Sequence, residues 1–208
     1  MATTRFPNNV TVEGDLTITG SLLPLLPRAS LVQADVQAYD LPTTDWRVWD
    51  AYQTPLGTAA ADDLGITTGT FSTGLPYITS GDSKATATTR YARILFTLPP
   101  EYVAGETVQL RFAAGMLTTI SDTSATVDAE CYLSARTTLI TGSDLVTTAA
   151  TTINSLTFTE KVFAITSTSL VPGSVLDIRV KIAITDAATG TAVIGAIAHA
   201  ELQCDIKG

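Results

Sequence analysis

Apolar and polar residues alternate with a period of two along most of this chain, and that alternation limits what it can fold into. In residues 176–184 the apolar positions are Leu176, Ile178, Val180, Ile182 and Ile184, and polar residues stand between them at Asp177, Arg179 and Lys181. The same pattern recurs over 32–38, 91–98, 108–114 and 125–133. Because side chains two positions apart share one face of an extended chain, the alternation predicts β-strands with one buried face.

Turn chemistry and composition extend this prediction to the fold class. The predicted strands are bounded by turn residues such as Pro99-Pro100, Gly105 and Pro172-Gly173. Threonine, a β-branched residue that disfavours helix, is the most abundant residue type. The best helix candidate, residues 59–64, is ended within two turns by Gly65. We therefore predict an all-β, jelly-roll-like β-sandwich over residues 31–208.

A six-residue repeat marks the first residues of the chain as a separate element. Val10-Thr11-Val12-Glu13-Gly14-Asp15 is followed directly by Leu16-Thr17-Ile18-Thr19-Gly20-Ser21. The apolar residues of both units share one face, and a ribbon this short cannot bury that face alone. After it, Pro24 and Pro27 prevent a sheet ladder from continuing through a leucine-rich strap.

Residues 1–30 are therefore predicted to be an extended N-terminal β-arm and Leu/Pro strap that lies on the rest of its own chain, on identical copies or on a foreign surface. The predicted contact residues of this arm are Phe6, Val10, Val12, Leu16, Ile18, Leu22, Leu23, Leu25 and Leu26.

Two later segments carry apolar residues on both faces. Val193 and Ile197 oppose the even-numbered apolar residues of the last strand, and Phe163 and Ile165 oppose Val162 and its neighbours. A strand that is apolar on both faces is normally covered on both. These four residues are accordingly predicted to be covered by a neighbouring subunit. The alternative is that they are scattered surface hydrophobes, which are common.

The charge of the chain restricts its partners. The net charge is −8 and only 15% of residues are charged, so the basic surface needed to bind nucleic acid is missing and an anionic membrane is disfavoured. The low charge content suits a surface buried between subunits. No apolar run approaches the roughly 20 residues that span a bilayer, and the start MATTRFPNN lacks the apolar centre of a secretory leader. We expect a soluble chain made in the cytoplasm.

Residues that carry out catalysis or hold cofactors are scarce. The single histidine, His199, is expected to be structural or solvent-facing, and Cys131 and Cys204 are expected to be small buried hydrophobes that form a disulfide only if their strands are neighbours. No dinucleotide or phosphate-binding motif occurs, and the scattered carboxylates lack calcium-loop spacing, which favours turn residues over a bound calcium ion. We predict no cofactor, no metal and no enzymatic activity.

Three aromatic residues in one short segment indicate a binding site. Trp46, Trp49 and Tyr52 lie within seven residues, and exposed Trp and Tyr rings stack on sugars. The alternative is structural: Trp46 belongs to the core and Trp49 packs at a sheet end or a subunit contact. The three residues are candidate contacts for a glycan.

Three stretches of the sequence resemble a known class of viral proteins. Residues 6–20 resemble the N-terminal arms of tailed-bacteriophage structural proteins, among them head decoration proteins and tail fibres or spikes. Thr89-Arg90-Tyr91-Ala92-Arg93 and Leu98-Pro99-Pro100-Glu101-Tyr102 resemble the knob of capsid cement proteins. This resemblance implies a homotrimer with intertwined arms that is bound to the capsid where capsomers meet, and it implies no catalytic residues.

Two functions compete on these grounds. In the first, the chain is a structural virion protein that binds the outer surface of a phage capsid as a trimer, contacts the major capsid protein and cements the head shell. In the second, it is an adhesin of a tail or head fibre, and its knob binds a bacterial-surface carbohydrate through Trp46, Trp49 and Tyr52. The acidic exterior suits the first, because the outside of a capsid has no DNA to neutralise.

Overall fold

The computed structural model describes residues 34–72, 74–135, 139–187 and 190–207. Eleven strands lie in these ranges: β1 (Ala34–Asp40), β2 (Gly65–Thr67), β3 (Tyr77–Thr79), β4 (Ala87–Thr97), β5 (Val108–Met116), β6 (Ser124–Ala135), β7 (Leu139–Thr141), β8 (Thr151–Thr152), β9 (Thr159–Ile165), β10 (Val175–Thr185) and β11 (Gly195–Lys207). The one helical element in the described part is a 3-10 turn at Thr43–Asp45. No helix among the described residues is long and apolar enough to cross a membrane.

The strands form two antiparallel sheets. Sheet I has the order β2-β3-β11-β5-β9, with β1 also paired to β11, and sheet II has the order β4-β10-β6-β7, with β8 also paired to β6. The all-β, jelly-roll-like sandwich is thereby confirmed. The arm of residues 1–30 and all of its predicted contact residues lie outside the described residues, so the arm and the domain boundary at residue 30 stay predictions.

The core lies between the inner faces of the two sheets. The five alternating apolar residues of β10 are all buried, as their spacing predicts. On sheet I, Phe112 lies between two other buried rings, with its centroid 6.4 Å from that of Trp46 and 5.7 Å from that of Phe163. Burying side chains of this size stabilises the fold by roughly 1.5–3 kcal/mol each.

The last strand contains an irregularity that corrects the prediction for Val193 and Ile197. The pairing of β11 with β5 shifts between Ile197 and His199, as in a β-bulge. Before the shift the odd-numbered residues face the core, and after it the even-numbered residues do, because an extra residue reverses the alternation. Val193 and Ile197 are therefore buried in the chain's own core and have no surface to offer a neighbouring subunit.

The prediction for Phe163 and Ile165 is also wrong, for a simpler reason. Both side chains point from β9 into the same core and are buried, and they pair across the ladder with Leu110 and Val108. The face that β9 turns outward carries Val162, which is 40% exposed. The apolar face of β9 is therefore buried against the core of its own chain.

The two cysteines behave as buried hydrophobes, as predicted. Cys131 lies on β6 of sheet II and Cys204 on β11 of sheet I, and both are free thiols. Each packs in the core between the sheets.

Candidate functional site

Three adjacent strands of sheet II present charged side chains on their outer face. The register places Arg179 of β10 opposite Arg93 of β4 and opposite Glu130 of β6. Because side chains alternate along a strand, the inward neighbours of these residues form the core and the outward ones form one continuous polar surface. We call this surface the β4-β10-β6 face.

Ion pairs connect the three strands across this face. Arg93 binds Asp177 through two parallel hydrogen bonds, of which the one from Nε to Oδ1 measures 2.6 Å. Arg179 donates from Nε to Oε2 of Glu130 at 3.0 Å, and the ammonium group of Lys181 lies 2.8 Å from Asp128 in the next row.

These pairs raise the pKa of two of the cations. The hydrogen bond to Asp177 raises the pKa of Arg93 and the hydrogen bond to Asp128 raises that of Lys181. A bidentate arginine–carboxylate pair such as Arg93–Asp177 has a defined geometry. The paired guanidinium and carboxylate groups on the β4-β10-β6 face are therefore held in fixed positions.

The segment after the 3-10 turn brings aromatic rings onto this face. Arg47 pairs with Arg93 through two backbone hydrogen bonds of 2.8 and 3.0 Å, so the segment extends the edge of β4. The chain then turns back, with the amide of Val48 donating to the carbonyl of Thr54 at 3.0 Å. This loop places Trp49 and Tyr52 beside the ion pairs.

Trp49 is held by three neighbours. Its indole nitrogen donates to the Asp62 carboxylate at 3.1 Å, and its ring centroid lies 5.2 Å from that of Tyr91. The Arg179 guanidinium lies 5.1 Å from the Trp49 ring and 4.6 Å from the Tyr91 ring, both within the range of cation–π attraction. Trp49 is half-buried and its orientation is determined before any ligand arrives.

Tyr52 is positioned in a similar way. The Leu95 amide donates to its hydroxyl at 3.1 Å, and the Arg93 guanidinium lies 5.3 Å from the centre of its ring. Tyr52 therefore anchors the loop to β4 and supports the arginine that binds Asp177.

A cleft of about 380 Å³ opens on the face between these groups. It is lined by Trp49, Asp50, Arg93, Glu130, Tyr132, Asp177 and Arg179. Burial, together with the charges of Glu130 and Asp144, raises the pKa of Tyr132, so its phenol keeps its proton and can donate a hydrogen bond at neutral pH. The cleft thus combines aromatic rings with hydrogen-bonding groups, which suits a ligand that has both apolar faces and hydroxyl groups.

Asp50, which lines the cleft, belongs to a group of three neighbouring carboxyl groups. Burial raises the pKa of Asp63, and the neighbouring charges of Asp62 and Asp50 raise it further. One oxygen of Asp63 is also buried without a hydrogen-bond partner.

Of the three aromatic residues selected from the sequence, the structure brings one into the lining of the cleft. The prediction that Trp46 contacts a glycan is wrong, because Trp46 is fully buried and its indole nitrogen donates a hydrogen bond to the Leu41 carbonyl at 3.3 Å. Trp49 lines the cleft, whereas Tyr52 is not part of its lining and lies against the guanidinium of Arg93, which is.

Sequence reasoning missed six further residues of this surface, which are Tyr91, Arg93, Glu130, Tyr132, Asp177 and Arg179. Their position on the polar side of predicted strands was a signal. Nothing in the sequence indicated that β4, β10 and β6 are neighbours.

Two of the scattered carboxylates accept hydrogen bonds from backbone amides in loops and at strand ends. Asp186 accepts hydrogen bonds from the amides of Ala85 and Asp122 at 3.0 and 3.1 Å, and Asp144 accepts from those of Cys131 and Val146 at 2.9 Å. These carboxylates hold loops through N–H donors, as turn residues do.

His199 lies on the outer face of sheet I, as a solvent-facing residue was expected to. Its Nε2 is 3.3 Å from Glu201 and 3.7 Å from Asp40, and both His199 and Asp40 are exposed.

Comparisons with known proteins find similarity of fold. No protein-family model matches the chain, and no curated protein matches it. Solved structures that resemble it include the CBM22-1 xylan-binding domain from Paenibacillus barcinonensis Xyn10C, with 11% identity, a TM-score of 0.41 and coverage of 84% of this chain and 97% of that one.

A second neighbour is the xylan-binding module CBM15, with 11% identity, a TM-score of 0.39 and coverage of 84% and 100%. A third is a structure of the infectious bursal disease virus Gx strain, with 15% identity, a TM-score of 0.28 and coverage of 64% and 32%. At these identities the similarity concerns the fold alone.

Proposed function

We propose that the sandwich is a carbohydrate-binding domain and that its binding site is the cleft on the β4-β10-β6 face. The observation that carries this proposal is the combination within one cleft of the half-buried rings of Trp49 and Tyr132 with the paired groups of Arg93, Asp177, Arg179 and Glu130.

Each part of the cleft matches a part of a sugar. A pyranose ring has an apolar C–H face that packs on an aromatic ring, and it has hydroxyl groups around its edge. Vicinal hydroxyls can receive hydrogen bonds from arginine and donate hydrogen bonds to carboxylates. Because the ion pairs fix these groups beforehand, little side-chain freedom is lost when a ligand binds.

Glycan-array binding followed by calorimetry tests this function. We expect Trp49→Ala and Tyr132→Ala each to weaken binding by about tenfold or more, since each removes a ring contact. Tyr77→Ala is a matched control: Tyr77 is also a half-buried tyrosine, but it lies on β3 of sheet I, where it packs on Phe158.

The control variant should bind as the unmodified protein does. Retention of full affinity by both cleft variants would contradict the proposed site. Because Trp49 also stabilises the loop that carries it, circular dichroism of each variant should accompany the binding measurement.

A second role in a virion is compatible with the first. We infer that the chain binds the outer surface of a phage capsid as a homotrimer, contacts the major capsid protein and stabilises the head shell, with the arm of residues 1–30 as the anchor. The apolar repeat of the arm supports this role, as do two exposed apolar residues of the described part, Phe71 at 95% and Leu75 at 65% exposure.

The buried residues Val193, Ile197, Phe163 and Ile165 no longer support a trimer. Light scattering coupled to size exclusion is expected to give three copies per particle, and deletion of residues 1–27 is expected to abolish capsid binding. A monomer, or full decoration of capsids by the truncated chain, would contradict this role.

A further inference from the structure

We infer that the cleft on the β4-β10-β6 face selects uncharged glycans and rejects those that carry carboxylates. This inference rests on the proposed carbohydrate-binding function and adds a ligand class to it. It follows from how the positive charges that line the cleft are already used.

Both arginines of the cleft are committed to carboxylates of the same chain. Arg93 forms two hydrogen bonds with Asp177, which is only 5% exposed, and Arg179 forms two with Glu130, at 3.0 and 2.5 Å. The N–H groups that remain free belong to guanidinium groups whose charge is already balanced, so a glycan carboxylate bound there would lie beside Asp177 or Glu130 without a counter-charge of its own.

The flat sides of the guanidinium groups are occupied as well. Arg179 lies against the rings of Trp49 and Tyr91, and Arg93 lies against the ring of Tyr52. Neither arginine can turn toward an anionic ligand without losing a ring contact in addition to an ion pair.

Among the charged residues that line the cleft, Asp50 forms no ion pair with any residue in the described part of the chain. Asp50 is exposed, and Asp62 accepts a hydrogen bond from Trp49, which also lines the cleft. The raised pKa of the adjacent Asp63 has these two charges among its causes, after burial. The net charge of −8 adds repulsion at longer range.

A neutral sugar meets none of these obstacles. Its hydroxyls can donate to carboxylate oxygens and accept from arginine N–H groups without displacing the existing partners, since each carboxylate oxygen has two lone pairs. The arrangement therefore favours neutral hexose or pentose units over uronic or sialic acids.

Paired oligosaccharides test the inference. For a ligand that binds on the array, calorimetry should compare the neutral chain with the chain in which one hexose is replaced by the corresponding uronic acid. We expect the uronic form to bind about tenfold more weakly or worse. We expect the affinity for the neutral form to stay the same from about 50 mM to about 500 mM sodium chloride, because salt screens only charge interactions.

Two variants locate the effect. Asp50→Asn should raise the affinity for the uronic form several-fold relative to the affinity for the neutral form. Asp35→Asn, which removes an exposed carboxylate from β1 of sheet I, should change neither.

Equal or tighter binding of the uronic form, or an affinity for the neutral chain that falls steeply with salt, would overturn the inference and leave the proposed function standing. Failure to bind any glycan would overturn the proposed function and this inference with it.

Discussion

Arg179 is the residue on which most contacts of the cleft converge. Its guanidinium binds Glu130, lies against Trp49 and Tyr91, and belongs to the central strand of sheet II. A flat group that donates two hydrogen bonds to one carboxylate oxygen and also stacks on rings cannot be replaced by an ammonium group. One side chain thus links the loop that carries Trp49 to two strands.

Arg179→Lys should weaken both the fold and the site. We expect a loss of about 1 kcal/mol in the free energy of unfolding, because the ring contacts and one hydrogen bond disappear. Glycan affinity should fall as Trp49 loses its support. Urea denaturation and calorimetry measure the two effects.

Lys181→Arg is the control for this substitution. Residue 181 is the next outward residue of β10, and either cation can pair with Asp128. If Arg179→Lys matched the unmodified protein in both measurements, the planar guanidinium group would not be required for stability or for glycan binding.

The two buried thiols predict how stability depends on pH. Burial raises the pKa of Cys131 from 9.0 to about 12 and that of Cys204 to about 11. Because both folded-state values exceed the unfolded one, the resulting stability is complete below about pH 9 and is lost as the pH rises through 11 and 12.

A Cys131→Ala/Cys204→Ala variant isolates this dependence from the tyrosines, which ionise in the same range. The unmodified protein should lose stability above pH 9 more steeply than the variant, as measured by urea denaturation across that range. Parallel curves would mean that the thiols do not contribute.

At the scale of the element, the irregularity in β11 determines which residues of the last strand form the core. Up to Ile197 the odd-numbered residues face inward, and from Ala200 onward the even-numbered ones do. Gly195 lies just before the shift, and a Cβ there would meet side-chain atoms of Ile182, Ile153 and Ile184 at 3.0 to 3.3 Å. This strand can approach the opposite sheet closely only because the residue has no side chain.

Gly195→Val should therefore overpack the core. We expect a loss of about 1–3 kcal/mol in the free energy of unfolding, measured by thermal or urea denaturation. Gly190→Ala is the control, because a Cβ at that position meets nothing within 4 Å. Unchanged stability of Gly195→Val would contradict the inward orientation of this residue.

At the scale of the whole molecule, one core serves both sheets. Phe112 is its aromatic centre, with the rings of Trp46 and Phe163 on either side. Trp46 in the core and Trp49 in the cleft are only three positions apart in the sequence, so a short stretch of backbone links the core to the cleft. A loss of core packing around Trp46 should therefore also disturb the position of Trp49 on the outer face of sheet II.

Phe112→Ala should destabilise the entire sandwich. We expect a loss of about 3–5 kcal/mol in a single cooperative transition, seen at the same denaturant concentration by tryptophan fluorescence and by circular dichroism. Val162→Ala removes an exposed side chain from the outer face of the neighbouring strand β9 and should cost less than about 0.5 kcal/mol. Separate transitions for the two probes would show that the sheets unfold independently.

Much of the fold could be predicted because alternation is a local property. The period of two identified β4, β5, β6 and β10, and it identified their inward residues, since one face of each strand carries the buried residues of that strand. The prediction failed for Val193 and Ile197, where a single extra residue reverses the alternation without any change in composition.

The sequence by itself determined that this protein is built of strands, which residues of most strands face inward, and that charged residues line the opposite side. Only the tertiary structure decided that β4, β10 and β6 lie side by side, and that Trp49 reaches their outer face while Trp46 is buried. The physical reason is that a local sequence pattern does not report contacts between residues that are far apart along the chain. Arg93 and Asp177 are 84 residues apart, and their contact depends on a strand pairing that the burial of the whole core selects.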